Sequence, residues 1–155
     1  MKIHVRKQKD ATACGPTCIK MTTDFFKLKH SLRQIEIVSQ YKKKDGLTNE
    51  DLIETIRKLD LYVRVKTQAR WSDLQKANKP DTVVIVSWMM DGYIGHFSVV
   101  ERVSDHSVYL ADPAKGKIIR LDKIMFMRLW MDYDDLWFPK KNTDIQLRWM
   151  AIVSL

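Results

Sequence analysis

Apolar positions in the first part of the chain recur at helical spacing. Cys14, Cys18, Met21 and Phe25 fall three or four residues apart, with Pro16 where a first turn tolerates it. Ser31 and Gln34 form a capping-box pair around Leu32, Ile35 and Val38. Thr48 is placed to cap a third helix carrying Leu52, Ile53, Ile56 and Leu59. Ser72 and Gln75 suggest another short helix. The pattern then changes. Tyr62 to Lys66 alternates weakly, and Thr82 to Trp88 is β-rich with no polar face, which predicts a strand buried on both sides. His96 to Val103 and Ser107 to Ala111 flank Ser104-Asp105-His106, a hairpin signal. Lys115-Gly116 is a second turn before Lys117 to Leu121, Asp122 caps a helix running to Trp130, and Gln146 to Ser154 is a last strand of partial alternation. The segment from Met131 to Asn142 gives the weakest signal. Helices in the N-terminal half packed on a C-terminal antiparallel sheet make the expected class α+β.

Composition narrows the picture. The chain has 155 residues, 45% apolar and 30% charged, which fits one soluble domain spanning 1–155. A domain of this size buries roughly 70% of its unfolded surface and needs no disulfide to hold it. Its two cysteines, Cys14 and Cys18, are read as reduced thiols in a reducing compartment. The first residues lack the apolar core of a signal peptide, and the longest apolar run, Thr82 to Met90, is of strand length. The expectation is a cytoplasmic protein, or a cytosolic piece of something larger. The formal charge is +8, but the basic residues are scattered apart from Lys42-Lys43-Lys44. With no RNA-binding aromatic motif and no zinc-finger spacing, the charge reads as a solvated basic surface, with no nucleic-acid partner. Two cysteines and no histidine pair at ligand spacing argue against a metal, and no cofactor is expected.

Candidate chemistry lies in four separated pieces. Gln8-Lys9-Asp10-Ala11-Thr12-Ala13-Cys14-Gly15-Pro16 puts a cysteine at a predicted helix start, where the helix end favours the thiolate that acts as nucleophile. The backbone N–H at that start and the Gln8 amide are candidates for an oxyanion hole. In Gly95-His96-Phe97-Ser98-Val99-Val100 a histidine opens a strand just after the Asp91-Gly92 turn. In Tyr109-Leu110-Ala111-Asp112-Pro113 a carboxylate ends the neighbouring strand, where it can orient one imidazole nitrogen while the other faces Cys14. Cys18, one turn along the helix, reads as a small core residue. Any one of these alone is more often structural, and the order Gln, Cys, His, Asp is what points to catalysis. His4, His30 and His106 lack such surroundings and read as surface residues.

These motifs resemble the C39 peptidases, papain-like cysteine peptidase domains at the N-terminus of bacteriocin-processing ABC transporters. The matching residues are Gln8-x-Asp10-x-x-x-Cys14-Gly15-Pro16-Thr17-Cys18, Lys44-Asp45-Gly46-Leu47-Thr48, His96-Phe97-Ser98-Val99-Val100 and Ala111-Asp112-Pro113, within about residues 5 to 130. The resemblance implies that Cys14 attacks, His96 is the base, Asp112 orients it and Gln8 helps hold the oxyanion. It implies a leader-peptide substrate cut after a double-glycine motif, its amphipathic helix docked on an apolar surface, and the transmembrane and ATPase parts of a transporter as partners. The chain departs from the pattern at Ala13, where an acidic residue is common, and in the bulkier, more basic Ile19-Lys20-Met21-Thr22-Thr23. The tail 131–155, with Trp137, Phe138 and Trp149, has no placed counterpart. Two other readings share these residues: a catalytically inactive C39-like domain that only holds substrate, and another papain-fold acyl transferase or deamidase.

Overall fold

The computed structural model describes residues 2–133 and 138–155, so Trp137 lies outside the described residues. Helices α1 (Cys14–Phe25), α2 (Leu32–Ser39) and α3 (Asn49–Lys58) come first. Strand β1 (Tyr62–Lys66) and helix α4 (Trp71–Ala77) precede β2 (Val83–Met90), β3 (Ile94–Val103), β4 (Ser107–Asp112) and β5 (Lys117–Asp122). Helix α5 (Lys123–Leu129), β6 (Met131–Tyr133), a short 3-10 turn, β7 (Ile145–Leu147) and β8 (Met150–Ser154) complete the order. The class is α+β, as the pattern predicts.

Six strands form one antiparallel sheet in the order β1-β8-β2-β3-β4-β5. The last strand inserts between the first and second, because the wholly apolar Ala151-Ile152-Val153 is buried on both faces only there. The sheet has a core on each side. Val83, Ile85, Val99 and Ala111 pack against Cys18, Ile19 and Met21 of α1 and Leu52 and Ile56 of α3. Val84, Val86, Val100 and Leu110 face the other way, onto Trp71 and Leu74 of α4 and Phe126 of α5. The largely apolar run of β2, broken only by the buried Ser87, thus serves two cores at the two-residue period of a strand. The helices are therefore not confined to one face, since α4 and α5 cover the side opposite α1–α3.

Local chemistry sets the boundaries. Ser31 with Gln34 and Thr48 with Asp51 form reciprocal capping boxes at α2 and α3. At α4 the reaching-back group is not Gln75 but Asp73, whose Oδ2 accepts the Arg70 N–H at 2.8 Å. The β2–β3 turn uses positive φ at Asp91 (55°) and Gly92 (87°), the conformation a tight hairpin demands. A second small sheet pairs β6 with β7 and packs beside β2.

Candidate active site

Cys14 is the first residue of α1, and the residue before it, Ala13, supplies no side-chain cap. The first-turn N–H groups are therefore left to whatever occupies the helix end. Pro16 lies within that turn, where a missing N–H costs nothing. Gly15 is required by contact: a Cβ there would lie 2.9–3.1 Å from side-chain carbons of Leu47, in the loop leading to α3.

His96 stands near the start of β3 and Asp112 at the end of β4. The β3–β4 register, Val99 opposite Ala111, brings these two strand ends together. His96 Nε2 donates to Asp112 Oδ1 at 2.5 Å, with His96 3% exposed and Asp112 fully buried. The same Oδ1 accepts the Ala114 N–H at 3.1 Å, while Oδ2 is buried without a partner. With Nε2 occupied, Nδ1 is the nitrogen left for Cys14. Burial works against the charged ring, but the hydrogen bonds to Asp112 and Cys14 and the charges of both outweigh it, raising the His96 pKa to about 9. The structure thus brings Cys14, His96 and Asp112 together from α1, β3 and β4.

Gln8 is close by but differently engaged. Its N–H donates to the Pro113 carbonyl at 2.8 Å, which fixes it beside the Asp112 turn. Its side-chain amide donates to the Asp10 carbonyl at 2.7 Å, and its Oε1 is buried without a partner. One amide proton remains for a ligand. Cys18 is fully buried in the α1–sheet core. Burial pushes its thiol pKa well up, and the charges of Cys14 and Asp112 add to the rise. Cys18 is therefore a poor nucleophile, in keeping with its reading as a core residue.

A cleft of about 260 Å³ opens over Cys14 and His96. Its walls are the loop Asp45 to Asn49 on one side and Ile94, Gly95, Asp132 and Tyr133 on the other. Two larger hollows, one between β1 and α4 and one along α2, are lined by neither cysteine nor histidine. Sequence reasoning missed four contributors. Trp88 pairs with His96 across β2–β3, its ring edge-on to the imidazole at 5.9 Å, and its indole N–H donates to Ser98 Oγ at 3.0 Å. It packs, itself buried, beside the imidazole, and only the strand register reveals it. Asp132 and Tyr133 belong to the segment with the weakest pattern. Asn49, whose amide donates to Gln146 Oε1 at 2.5 Å, ties α3 to β7 at the wall of the cleft. Among the described residues no cluster of ligating side chains fits a metal ion, and no helix is long and apolar enough to cross a membrane.

The whole architecture recurs in solved structures. A double glycine motif protease from an AMS/PCAT transporter, solved with a leader peptide, is similar at 20% identity and a TM-score of 0.74, covering 99% of this chain and 93% of that one. The peptidase domain of Streptococcus ComA, a bifunctional ABC transporter of a quorum-sensing pathway, matches at 18% identity and a TM-score of 0.73, covering 99% and 98%. A C39-like peptidase from Bacillus anthracis matches at 13% identity and a TM-score of 0.66, covering 100% and 98%. These likenesses make the fold papain-like, and they extend through the tail. No curated protein sequence matches significantly. The Peptidase C39 family model matches residues 2–142, a span that includes the Cys14 helix start and both strand ends of the buried pair, and the chain belongs to that family.

Proposed function

We propose that the chain is a cysteine endopeptidase that cuts a leader peptide after a small-residue, double-glycine motif. The observation that carries this is the buried His96–Asp112 hydrogen bond with Cys14 on the same imidazole, at the floor of a cleft. In this reading the Cys14 sulfur bonds to the scissile carbonyl carbon, and the carbonyl oxygen takes the negative charge. The α1 N-terminus and the free proton of the Gln8 amide hold that oxyanion. Collapse breaks the C–N bond while His96 gives its proton to the departing amine. His96 then takes a proton from water, which attacks the thioester and frees Cys14. Asp112 keeps the ring oriented throughout.

The substrate class rests on cleft shape, surface and kinship. Leu47 pressed onto Gly15 narrows the cleft beside the nucleophile, which favours residues without bulky side chains before the cut. A shallow groove on α2 exposes Ile37 beside Leu32, with Lys9, Arg33 and Lys42 at its edges. It suits an amphipathic helix with acidic residues on its polar face. Two of the similar solved structures are named as parts of transporters, one bound to a leader peptide. This chain accordingly acts on the cytosolic side, beside the transmembrane and ATPase parts of an ABC transporter.

The test is a panel of peptides with varied residues before the cut, against wild type, Cys14→Ala and Gln8→Ala. Wild type cuts Gly-Gly peptides and not Leu-Leu peptides, and Cys14→Ala cuts none while staying folded. Gln8→Ala lowers kcat by about 10²- to 10³-fold with little change in KM. Turnover retained in Cys14→Ala rejects the nucleophile, and equal cleavage of Gly-Gly and Leu-Leu peptides rejects the narrow site.

A further inference from the structure

The segment from Gln8 to Cys14 carries both proposed oxyanion donors, yet it lies outside every strand and helix until Cys14 itself. Side chains hold it instead. Asp10 Oδ1 accepts the Tyr41 hydroxyl at 2.6 Å and the Thr12 N–H at 3.2 Å. The Thr12 hydroxyl, 2.9 Å from the Tyr41 oxygen, has one proton and gives it to the Lys43 carbonyl at 2.7 Å. At the other end of the same residue, the Asp10 carbonyl accepts from Gln8 Nε2 at 2.7 Å and from the Ala13 N–H at 3.3 Å. Tyr41 is itself anchored at the end of α2, where its N–H donates to the Glu36 carbonyl at 3.0 Å. Lys9 adds a second tie to α2 through Glu36 at 2.7 Å.

From this geometry we infer that Asp10 is a positioning residue for the oxyanion hole: Tyr41 fixes its carboxylate, and its carbonyl in turn fixes the Gln8 amide and the turn into Cys14. The inference rests on the peptidase reading above. A loose Gln8 amide still contacts a ground-state carbonyl but forfeits the stronger bond to the oxyanion. Losing the clamp therefore lowers kcat and leaves KM in place. A merely structural Asp10 lowers stability and leaves the turnover of folded protein alone.

The probe is acetyl-glycyl-glycinal, an aldehyde to which the Cys14 sulfur adds reversibly, leaving the oxygen where the oxyanion forms. It is used beside a cleavable Gly-Gly peptide. Asp10→Ala is expected to weaken aldehyde binding and lower kcat in parallel by about 10- to 100-fold, with KM within about twofold. Tyr41→Phe removes one hydroxyl with little risk to folding and lowers both by about 3- to 10-fold. Asp10→Asn keeps an oxygen that accepts from Tyr41 and recovers activity to within about threefold of wild type. In a Gln8→Ala background, Asp10→Ala adds less than about threefold, because both act through one contact. Unchanged kcat and aldehyde affinity in Tyr41→Phe and Asp10→Ala overturn the inference, as does full multiplication of the Asp10 and Gln8 losses. Wild type that neither binds the aldehyde nor cuts the peptide overturns the peptidase reading, and this inference with it.

Discussion

His96 concentrates the electrostatics of the site in one ring. It is almost wholly buried, which opposes its charge, yet Asp112 at 2.5 Å and Cys14 together raise its pKa to about 9. An unfolded histidine has a pKa near 6.5, so the folded state binds the proton more tightly. The resulting stability is fully present below about pH 6.5 and is lost as the pH rises to about 9, because over that interval the unfolded ring has released its proton while the folded ring still holds it. Urea unfolding of wild type across that window is expected to show a loss on the order of 2–3 kcal/mol. Asp112→Asn, which cannot supply the charge, flattens the curve. A wild-type stability that is level between pH 6.5 and 9 shows that the ring is not held protonated. Turnover falls over the same upper limb, since a neutral His96 has no proton for the leaving amine.

Among the elements, the β6–β7 hairpin acts as a wall of the cleft, and Gly95 is the position that admits it. A Cβ on Gly95 would stand 2.9 Å from Asp132 Oδ1, while Asp132 Oδ2 accepts the Ser87 hydroxyl at 3.0 Å. Gly95→Ala is therefore expected to displace the Asp132 carboxylate from its place beside Ser87 and raise KM about tenfold, with kcat changed less. Gly95→Ala combined with Asp132→Ala relieves the clash and recovers most of the loss. If the pair is as impaired as Gly95→Ala alone, the fault lies in β3 itself and not in the wall. The strand period showed neither contact, since a glycine and an aspartate at remote positions carry no signal of meeting until the sheet is assembled.

At the scale of the whole molecule, charge and exposed apolar surface coincide on α2. The net charge of +8 gives long-range attraction for an acidic peptide, and Arg33 and Lys42 border the groove that exposes Ile37. Arg33→Glu with Lys42→Glu should raise KM for a leader peptide with acidic residues by about 10-fold at low salt, with kcat unchanged. Added salt should weaken wild-type binding and narrow the difference, because exposed charges are screened within about 10 Å at 0.1 M. A salt-independent KM, equal in both proteins, excludes this groove as the electrostatic docking face.

The sequence by itself determined what local chemistry controls. Capping residues Ser31 and Thr48 start helices where their hydroxyls reach backbone N–H groups, and Asp91-Gly92 turns a hairpin. A largely apolar run from Val83 made β2 a strand buried on both faces. Cys14, His96 and Asp112 could be grouped as candidates because each sits at or near an element end, where side chains from separate elements can meet. Tertiary structure decided what depends on distant partners. It inserted β8 between β1 and β2, because only there are Ala151 to Val153 covered from both sides. It set Trp88 edge-on to His96 through strand register, and brought Asp132 and Tyr133 to the cleft from a segment without periodicity. It turned the Gln8 amide toward Asp10, a hydrogen bond between neighbours whose geometry is fixed by Tyr41, 31 residues beyond Asp10 in the chain. Periodicity records which face of an element is buried, whereas the partner it is buried against is chosen only when the elements pack.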